Sequence, residues 1–207
     1  MIENILNKYL SEKRKAHSYL VAETARKLAT VWHINEGLSY EAGLLHDIAK
    51  ELTLVDFKKW HLNLDKNLNV IYADYPQIFH AFVAPLFLKK VYPVSDDILS
   101  AIEWHTTGKA ALTDLEKIIY IADYIEPDRK FFTKDYITAL AYNDLDEAVL
   151  AINVASLLFL ISKGAKIFPK LIECHNYYLS QISKEKVKII TNTVLEFFEN
   201  EFKEETK

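Results

Sequence analysis

The sequence predicts an all-α fold, and three features of the chain support this prediction. Glycine and proline number only 4 and 5 among 207 residues, too few for the many tight turns of a strand-rich fold. Apolar residues recur at intervals of three and four, and polar residues typical of helix starts stand before these runs. Half of the residues are hydrophobic and 26% are charged, as expected for a chain with a hydrophobic core. We expect a single domain over residues 1–207.

In the N-terminal half, the helices are predicted from hydrophobic periodicity. The first long helix, at 13–33, has one largely apolar face that also carries a histidine: His17, Leu20, Val21, Thr24, Leu28 and Val31. Further helices are predicted at 38–50, 53–61 and 76–91. Gly37, Gly108 and Gly164 are suited to the left-handed conformation that ends a helix. Pro85 lies inside the helix at 76–91 and is expected to kink it.

In the C-terminal half, several helices begin at recognisable capping residues. Thr113 and Glu116 have the spacing of a capping box, and Ser95 and Asp144 are residues that commonly cap a helix start. The helices predicted here are at 95–107, 113–126, 134–141, 144–163, 169–181 and 184–203.

Charge and composition argue against several classes of function. The chain has 25 Lys and Arg against 29 Asp and Glu, and this net charge of −4 disfavours a general nucleic-acid binder. The single cysteine, Cys174, cannot form an internal disulfide, and no signal-peptide pattern opens the chain, so we expect a cytoplasmic protein. The most apolar run, Ala148 to Ile161, has 14 residues, fewer than the roughly 20 that cross a bilayer. We interpret it as a buried helix and expect no membrane partner.

Several residues of metal-binding type stand where the helical pattern predicts the core. They are His17, His46, Asp47, His80, His105 and Asp123. The His46-Asp47 pair, for example, is embedded in the apolar run Leu44-Leu-His-Asp-Ile48. Burying such groups without a partner costs several kcal/mol, and a metal ion is one partner that offsets this cost. Because the residues come from five predicted helices, the pattern suits ligands that converge inside a bundle.

The composition of this candidate ligand set indicates two divalent ions. Four imidazoles and two carboxylates exceed the needs of one tetrahedral ion, so two ions bridged by a carboxylate are expected, with Asp47 as the bridge. A histidine and carboxylate set suits iron, manganese or zinc. We interpret the other histidines, His33, His61 and His175, as core residues bonded to backbone.

Cationic side chains stand near these candidate ligands along the chain. Lys50 follows His46 by four residues, Arg14 precedes His17 by three, and Arg129 follows Asp123 by six. On an acidic chain, this arrangement suggests a local site for phosphate groups. The alternative is that these residues form surface salt bridges. Thr106 either donates its hydroxyl to a phosphate or ends a helix.

At this point the sequence resembles a known family. His17, His46-Asp47 and Asp123 match the H…HD…D pattern of HD-domain metal-dependent phosphohydrolases. The segments that narrow the resemblance are Lys13-Arg-Lys-Ala-His17, Gly43-Leu-Leu-His-Asp-Ile-Ala-Lys50, Ala101-Ile-Glu-Trp-His-Thr-Thr-Gly108 and Ala122-Asp-Tyr-Ile-Glu-Pro-Asp-Arg129. They resemble the bacterial symmetrical bis(5′-nucleosyl)-tetraphosphatases over about residues 11–180.

The resemblance implies an HD-domain helical bundle, with a core at about 11–130 and a C-terminal helical extension at about 131–207. It implies cleavage of diadenosine tetraphosphate, a small-molecule nucleotide, to two ADP at a two-iron centre. His17, His46, Asp47 and Asp123 would bind one ion, and Asp47, His80 and His105 the other. A hydroxide bridging the ions would be the nucleophile, and the residues expected to be catalytic are Asp47 and Lys50. The residues expected to bind substrate are Arg14, Lys50, Thr106 and Arg129.

The residues alone leave several other functions open. The same ligands would serve another nucleotide phosphatase or phosphodiesterase, a two-iron oxygenase, or an inactive metal-binding signalling module. The apolar stripe Val187, Ile190, Val194 and Phe198 suits either the core or a homodimer contact.

Overall fold

A computed structural model describes residues 2–205, with side chains up to residue 200 except that of Leu54. Twelve helices make up its regular structure, and no strand occurs between residues 2 and 205. They are α1 (Ile2–Tyr9), α2 (Glu12–Val31), α3 (Glu36–Leu45), α4 (Leu54–Lys59), α5 (Lys66–Asp74), α6 (Phe79–Val91), α7 (Asp96–Trp104), α8 (Asp114–Ile125), α9 (Lys134–Ala141), α10 (Leu145–Ser162), α11 (Pro169–Gln181) and α12 (Lys184–Glu205). The all-α prediction is therefore confirmed.

Two helices, α1 and α5, were absent from the sequence-based prediction. Helix α1 has few turns, and its buried residue Leu6 packs into the core. Helix α5 has a start signal that periodicity alone did not reveal: the side chain of Asp65 accepts a hydrogen bond from the backbone N–H of Leu68. Only Ile71 of α5 is buried, so this helix lacks a broad apolar face.

The predicted capping signals have the expected geometry in most cases. The capping box of Thr113 and Glu116 is formed, and the side chains of Ser95 and Asp144 accept from backbone N–H groups at the starts of α7 and α10. Gly108 and Gly164 have the positive φ angles expected for helix ends.

Three details of the helix predictions were wrong. Gly37 lies inside α3, and the residue with positive φ after α2 is His33, at 55°. Val31 is 45% exposed, because the buried face of α2 is formed by residues such as Ala25 and Ala29. Helix α3 ends at Leu45, so the predicted helix at 38–50 is interrupted by a series of turns.

Helices α2 and α3 pack with their backbones in close contact. A Cβ atom built at Gly43 would lie 2.6 Å from Cα of Ala22, so only glycine fits at this crossing. Helix α8 packs against both α2 and α3, and α7 packs against α3 and α8. Because α2, α3, α7 and α8 all approach one point, the polar residues at that point are enclosed by the core.

The C-terminal helices complete the packing around α8. The first half of α10 is buried, but its second half is not, since Phe159 and Ile161 are 55% and 63% exposed. The prediction of a buried helix at 148–161 was therefore only partly correct. By length and composition α10 could cross a membrane, with a mean hydropathy of 1.8, although half of it is buried in the protein. Core helices commonly have this composition.

The apolar stripe of α12 faces the protein interior. Ile190 and Val194 are fully buried, and Val187 packs against the core. The α12 stripe therefore contributes to intramolecular packing.

Candidate metal centre

The predicted ligands come together at one buried point. His17 and Asp123 lie within α2 and α8, and His80 is the second residue of α6. His46 and His105 are the residues that follow the last turns of α3 and α7, where both were predicted inside helices. Because each of these two helices ends at the cluster, the side chain after its last turn is free to reach inward.

Asp47 is at the centre of this group, and its two carboxylate oxygens face different histidines. Oδ2 of Asp47 lies 3.5 Å from Nε2 of His46 and 3.8 Å from Nε2 of His17. Oδ1 lies 3.0 Å from Nε2 of His80 and 3.6 Å from Nε2 of His105. The carboxylate therefore has one histidine pair on each side.

Asp123 completes the side of the cluster that contains His17. Its Oδ1 lies 3.1 Å from Nε2 of His17 and 3.8 Å from Nε2 of His46. Three overlapping groups have ligand atoms within 4.8 Å of one another: His17, His46 and Asp47; His46, His105 and Asp123; and Asp47, His80 and His105.

The outer ring nitrogens set the tautomers of two histidines. Nδ1 of His46 lies 2.7 Å from the carbonyl oxygen of Gly43, and Nδ1 of His105 lies 2.6 Å from that of Ile102. A carbonyl oxygen only accepts hydrogen bonds, so each Nδ1 carries a proton. In the neutral ring, Nε2 is then a lone-pair acceptor directed into the cluster, the form in which histidine binds metals.

The spacing of the inner ring nitrogens fits a metal ion. The Nε2 atoms of His17 and His46 are 3.2 Å apart, and His17 Nδ1 lies 3.2 Å from the carboxylate of Glu126. Two acceptors at this distance repel each other unless a proton or a metal ion lies between them. Two nitrogens bound at about 2.1 Å to one ion are about 3.0–3.4 Å apart. The donor set and its spacing therefore fit a divalent metal.

Burial and neighbouring charges shift the protonation of the cluster. Burial, partly offset by Asp47, lowers the pKa of His80 to about 4. Burial alone would raise the pKa of Asp47, but the charge of His46 and the side chains of His105 and His80 hold it well below its ordinary value. For His46, burial is outweighed by the charge of Asp47, and the pKa is raised. The carboxylate of Asp47 is thus anionic and available to a cation.

The predicted cationic residues surround the cluster. Arg14 lies 2.7 Å from Oδ2 of Asp47, and Arg129 donates to the side chain of Asp123 and, at 2.8 Å, to its backbone carbonyl. Lys50 Nζ lies 3.1 Å from Nε2 of His80 and 4.0 Å from Oδ1 of Asp47, and burial lowers its pKa. These side chains are about one-third exposed, so they border both the cluster and the solvent.

Thr106 and the three histidines outside the cluster have different environments. The hydroxyl of Thr106 is buried and has no hydrogen-bond partner within the described part of the chain. The expectation that the other histidines are core residues bonded to backbone was wrong. His33 and His61 are exposed residues with positive φ, and Nδ1 of His175 lacks a partner among the described residues.

Glu126 is a residue of the site that sequence reasoning missed. It is 2% exposed, and it accepts hydrogen bonds from Nδ1 of His17 and from the backbone N–H of Asp128. A carboxylate in this position orients a metal-binding histidine and makes its inner nitrogen more basic. The acidic residue just before Pro127, at the end of a helix that carries a ligand, was the available signal.

Comparison with known proteins agrees with this geometry. The HD domain family matches residues 14–128, more than half of the chain. The relatives include proteins named bis(5′-nucleosyl)-tetraphosphatase, symmetrical. The one from Staphylococcus aureus is 38% identical, covering 86% of this chain and 92% of its own. The one from Bacillus subtilis is 33% identical, covering 83% and 92%.

A solved structure has the same fold. It is the crystal structure of a protein from Clostridium acetobutylicum described as a predicted HD superfamily hydrolase involved in NAD metabolism. The TM-score is 0.79 at 34% identity, and the match covers 87% of this chain and 96% of that one. The chain therefore belongs to the HD-domain family, in the group of proteins named symmetrical bis(5′-nucleosyl)-tetraphosphatases.

Proposed function

We propose that this protein hydrolyses diadenosine tetraphosphate and related dinucleoside polyphosphates symmetrically, giving two ADP from the first. The observation that carries the proposal is the position of Asp47, whose two oxygens face separate histidine pairs. A carboxylate shared in this way suits two adjacent ions, the arrangement of many enzymes that cleave phosphate esters and anhydrides. The named activity of the relatives supports the substrate class.

The proposed metal ligands divide into two sets that share Asp47. His17, His46, Asp47 and Asp123 would bind one ion, since both carboxylates lie within 4 Å of Nε2 of His17 and of His46. Asp47, His80 and His105 would bind the other. Iron is the metal we propose, and manganese or zinc would suit the same donors. When bound, such a pair of ions lowers the pKa of water and offsets the charge of the phosphates.

The cationic side chains would bind the polyphosphate. Lys50 is 34% exposed beside His80, and Arg14 and Arg129 border the opposite part of the cluster. Breaking the central anhydride releases ADP, a good leaving group, so neutralising the developing charge matters more than donating a proton. The unpartnered hydroxyl of Thr106 is a further donor for a phosphate oxygen. We place the protein in the cytoplasm, because its one cysteine, Cys174, is a free thiol, as is usual in a reducing compartment.

The products of the reaction test this proposal. Protein loaded with Fe²⁺ under exclusion of oxygen, or with Mn²⁺, is incubated with diadenosine tetraphosphate, and the nucleotides are separated by ion exchange. ADP as the only product supports the proposal, and a mixture of AMP and ATP contradicts it. Release of inorganic phosphate from AMP would instead indicate a phosphatase, and oxygen-dependent turnover an oxygenase.

Two variants separate metal binding from substrate binding. We expect Asp47→Ala to lose metal and activity together, because Asp47 contacts both histidine pairs. Lys50→Ala should keep its metal and lose rate. Lys27→Ala, which changes an exposed lysine on α2, is the matched control and should behave like the unaltered protein. Full turnover by Asp47→Ala would show that the carboxylate does not bridge the ions.

A further inference from the structure

A cavity of about 340 Å³ adjoins the metal centre on the side of Lys50 and His80. We propose that this cavity binds one nucleoside of the substrate, with the base against Tyr72. The inference rests on the proposed function for the identity of the substrate. No sequence motif indicated this site, because its walls come from separate segments: the turns after Asp47, α4, α5, and the start of α6 with the residues just before it.

The cavity is continuous with the metal centre. Lys50 and His80 line it, and both also contact the ligand cluster: His80 Nε2 lies 3.0 Å from Oδ1 of Asp47, and Lys50 Nζ lies 4.0 Å from the same atom. A phosphate chain held at the metals therefore has a cationic side chain on the way to the cavity. In a dinucleoside polyphosphate, each end of the phosphate chain carries a nucleoside. The cavity is therefore placed to receive one of these nucleosides.

Two neighbouring residues of α6 lie between the metal-binding surface and the aromatic wall of the cavity. Phe79 and His80 are consecutive, and both line the cavity. Adjacent residues on a helix project about 100° apart, and His80 also contacts Asp47 while the ring of Phe79 packs against Tyr72 and Phe57. The start of α6 thus joins a polar, metal-binding surface to an aromatic one.

The walls of the cavity have the chemistry that a base requires. Tyr72 is 47% exposed, and its ring centroid lies 5.0 Å from that of Phe79, which supports it edge-on. A supported, accessible aromatic ring is a stacking surface for any base. Gln77, exposed at the rim, has an amide that both donates and accepts, as the polar edge of a base does. The volume lies within the range of about 300–1,000 Å³ typical of small-molecule sites.

The test measures binding, so it does not depend on turnover. The ligand is diadenosine tetraphosphate with a methylene group in place of the central bridging oxygen, titrated calorimetrically into the Mn²⁺-loaded protein. We expect Tyr72→Ala to raise its Kd about tenfold, the effect of losing one aromatic–base stack. Tyr72→Phe, which keeps the ring, and Val70→Ala, which removes an exposed side chain of the same helix, should stay within about twofold of the unaltered protein.

Inorganic tetraphosphate distinguishes the base from the phosphates. It has no nucleoside, so its affinity should be the same for Tyr72→Ala as for the unaltered protein. Gln77→Ala changes an exposed side chain and is a second variant that does not disturb the core; we expect about threefold weaker binding of the analogue. The proposal is overturned if both variants bind the analogue as the unaltered protein does, or if the analogue binds no better than tetraphosphate.

The outcomes for this site and for the proposed reaction are separable. If the unaltered protein forms no ADP but Tyr72→Ala still weakens the analogue selectively, the reaction is wrong and the nucleoside site stands. If ADP is formed and neither Tyr72→Ala nor Gln77→Ala affects analogue binding, the reaction stands and the nucleoside site is wrong.

Discussion

Replacing Gly43 by alanine tests whether the α2–α3 crossing sets the geometry of the metal centre. The new Cβ would lie 2.6 Å from Cα and 2.9 Å from the backbone nitrogen of Ala22. Carbon atoms in favourable contact are about 3.5–4.0 Å apart, so the two backbones must separate by about 1 Å. No side-chain rotation relieves this contact, because the atoms that Cβ meets belong to the main chain.

The cost follows from two opposing effects. Overpacking typically costs about 1–3 kcal/mol, and contact with backbone places Gly43→Ala at the upper end. Alanine recovers about 0.5–1 kcal/mol through its higher helix propensity. The net loss is about 2 kcal/mol in the free energy of unfolding, equivalent to a fall in Tm of about 4–8 °C for a protein of this size.

Separating the backbones of α2 and α3 would also move the metal ligands that these helices carry. His17 on α2 and His46 after α3 have Nε2 atoms 3.2 Å apart, and a shift of about 1 Å would exceed the spacing that one ion accepts. We therefore expect Gly43→Ala to retain less metal than the unaltered protein.

Urea unfolding, thermal melting and elemental analysis of the purified variant check both effects. Gly37→Ala is the matched control on the same helix, since its Cβ meets only Oδ1 of Asn35, at 3.3 Å, and its Tm should change by no more than about 2 °C. A Gly43→Ala protein with unaltered Tm and full metal content would refute the argument that close backbone contact positions these ligands.

Three further predictions follow from the site and the core. Protein kept at a free metal concentration of 100 times the Kd gains about 2.7 kcal/mol in its free energy of unfolding. Removing the metal with a chelator should therefore lower the Tm by about 5–10 °C. A Tm that does not respond to Mn²⁺ would contradict the site. Glu126→Gln should weaken metal binding by about 10–100-fold, measured by competition with a chelating dye, because it removes the charged partner of His17; equal affinity would exclude this role. Burial raises the pKa of the Cys174 thiol to about 12, so at pH 8 only about one thiol in 10⁴ is ionised. Iodoacetamide should therefore label the folded protein far more slowly than the urea-unfolded chain, as followed by mass spectrometry, and equal rates would show that this thiol is accessible.

Local sequence determined most of the helices and the identity of the clustered residues. Capping by Ser95, Thr113 and Asp144 requires only atoms within a few residues, so these helix starts were predictable. The six clustered histidines and aspartates were recognisable because metal-binding side chains within apolar runs are costly without a partner. Their convergence at one point agrees with that expectation.

Long-range contacts decided the features that the sequence left undetermined. Glu126 meets His17 across 109 residues, and neither residue's neighbours in the chain indicate this pairing. The backbone contact between Gly43 and Ala22 and the cavity beside Tyr72 likewise exist only once helices from distant segments pack. The amino-acid sequence by itself determined which groups are available to bind a metal, because burial cost depends on residue type. Tertiary structure alone decided their distances, the partner of each ring nitrogen and the space beside them, because these depend on how closely the helices approach.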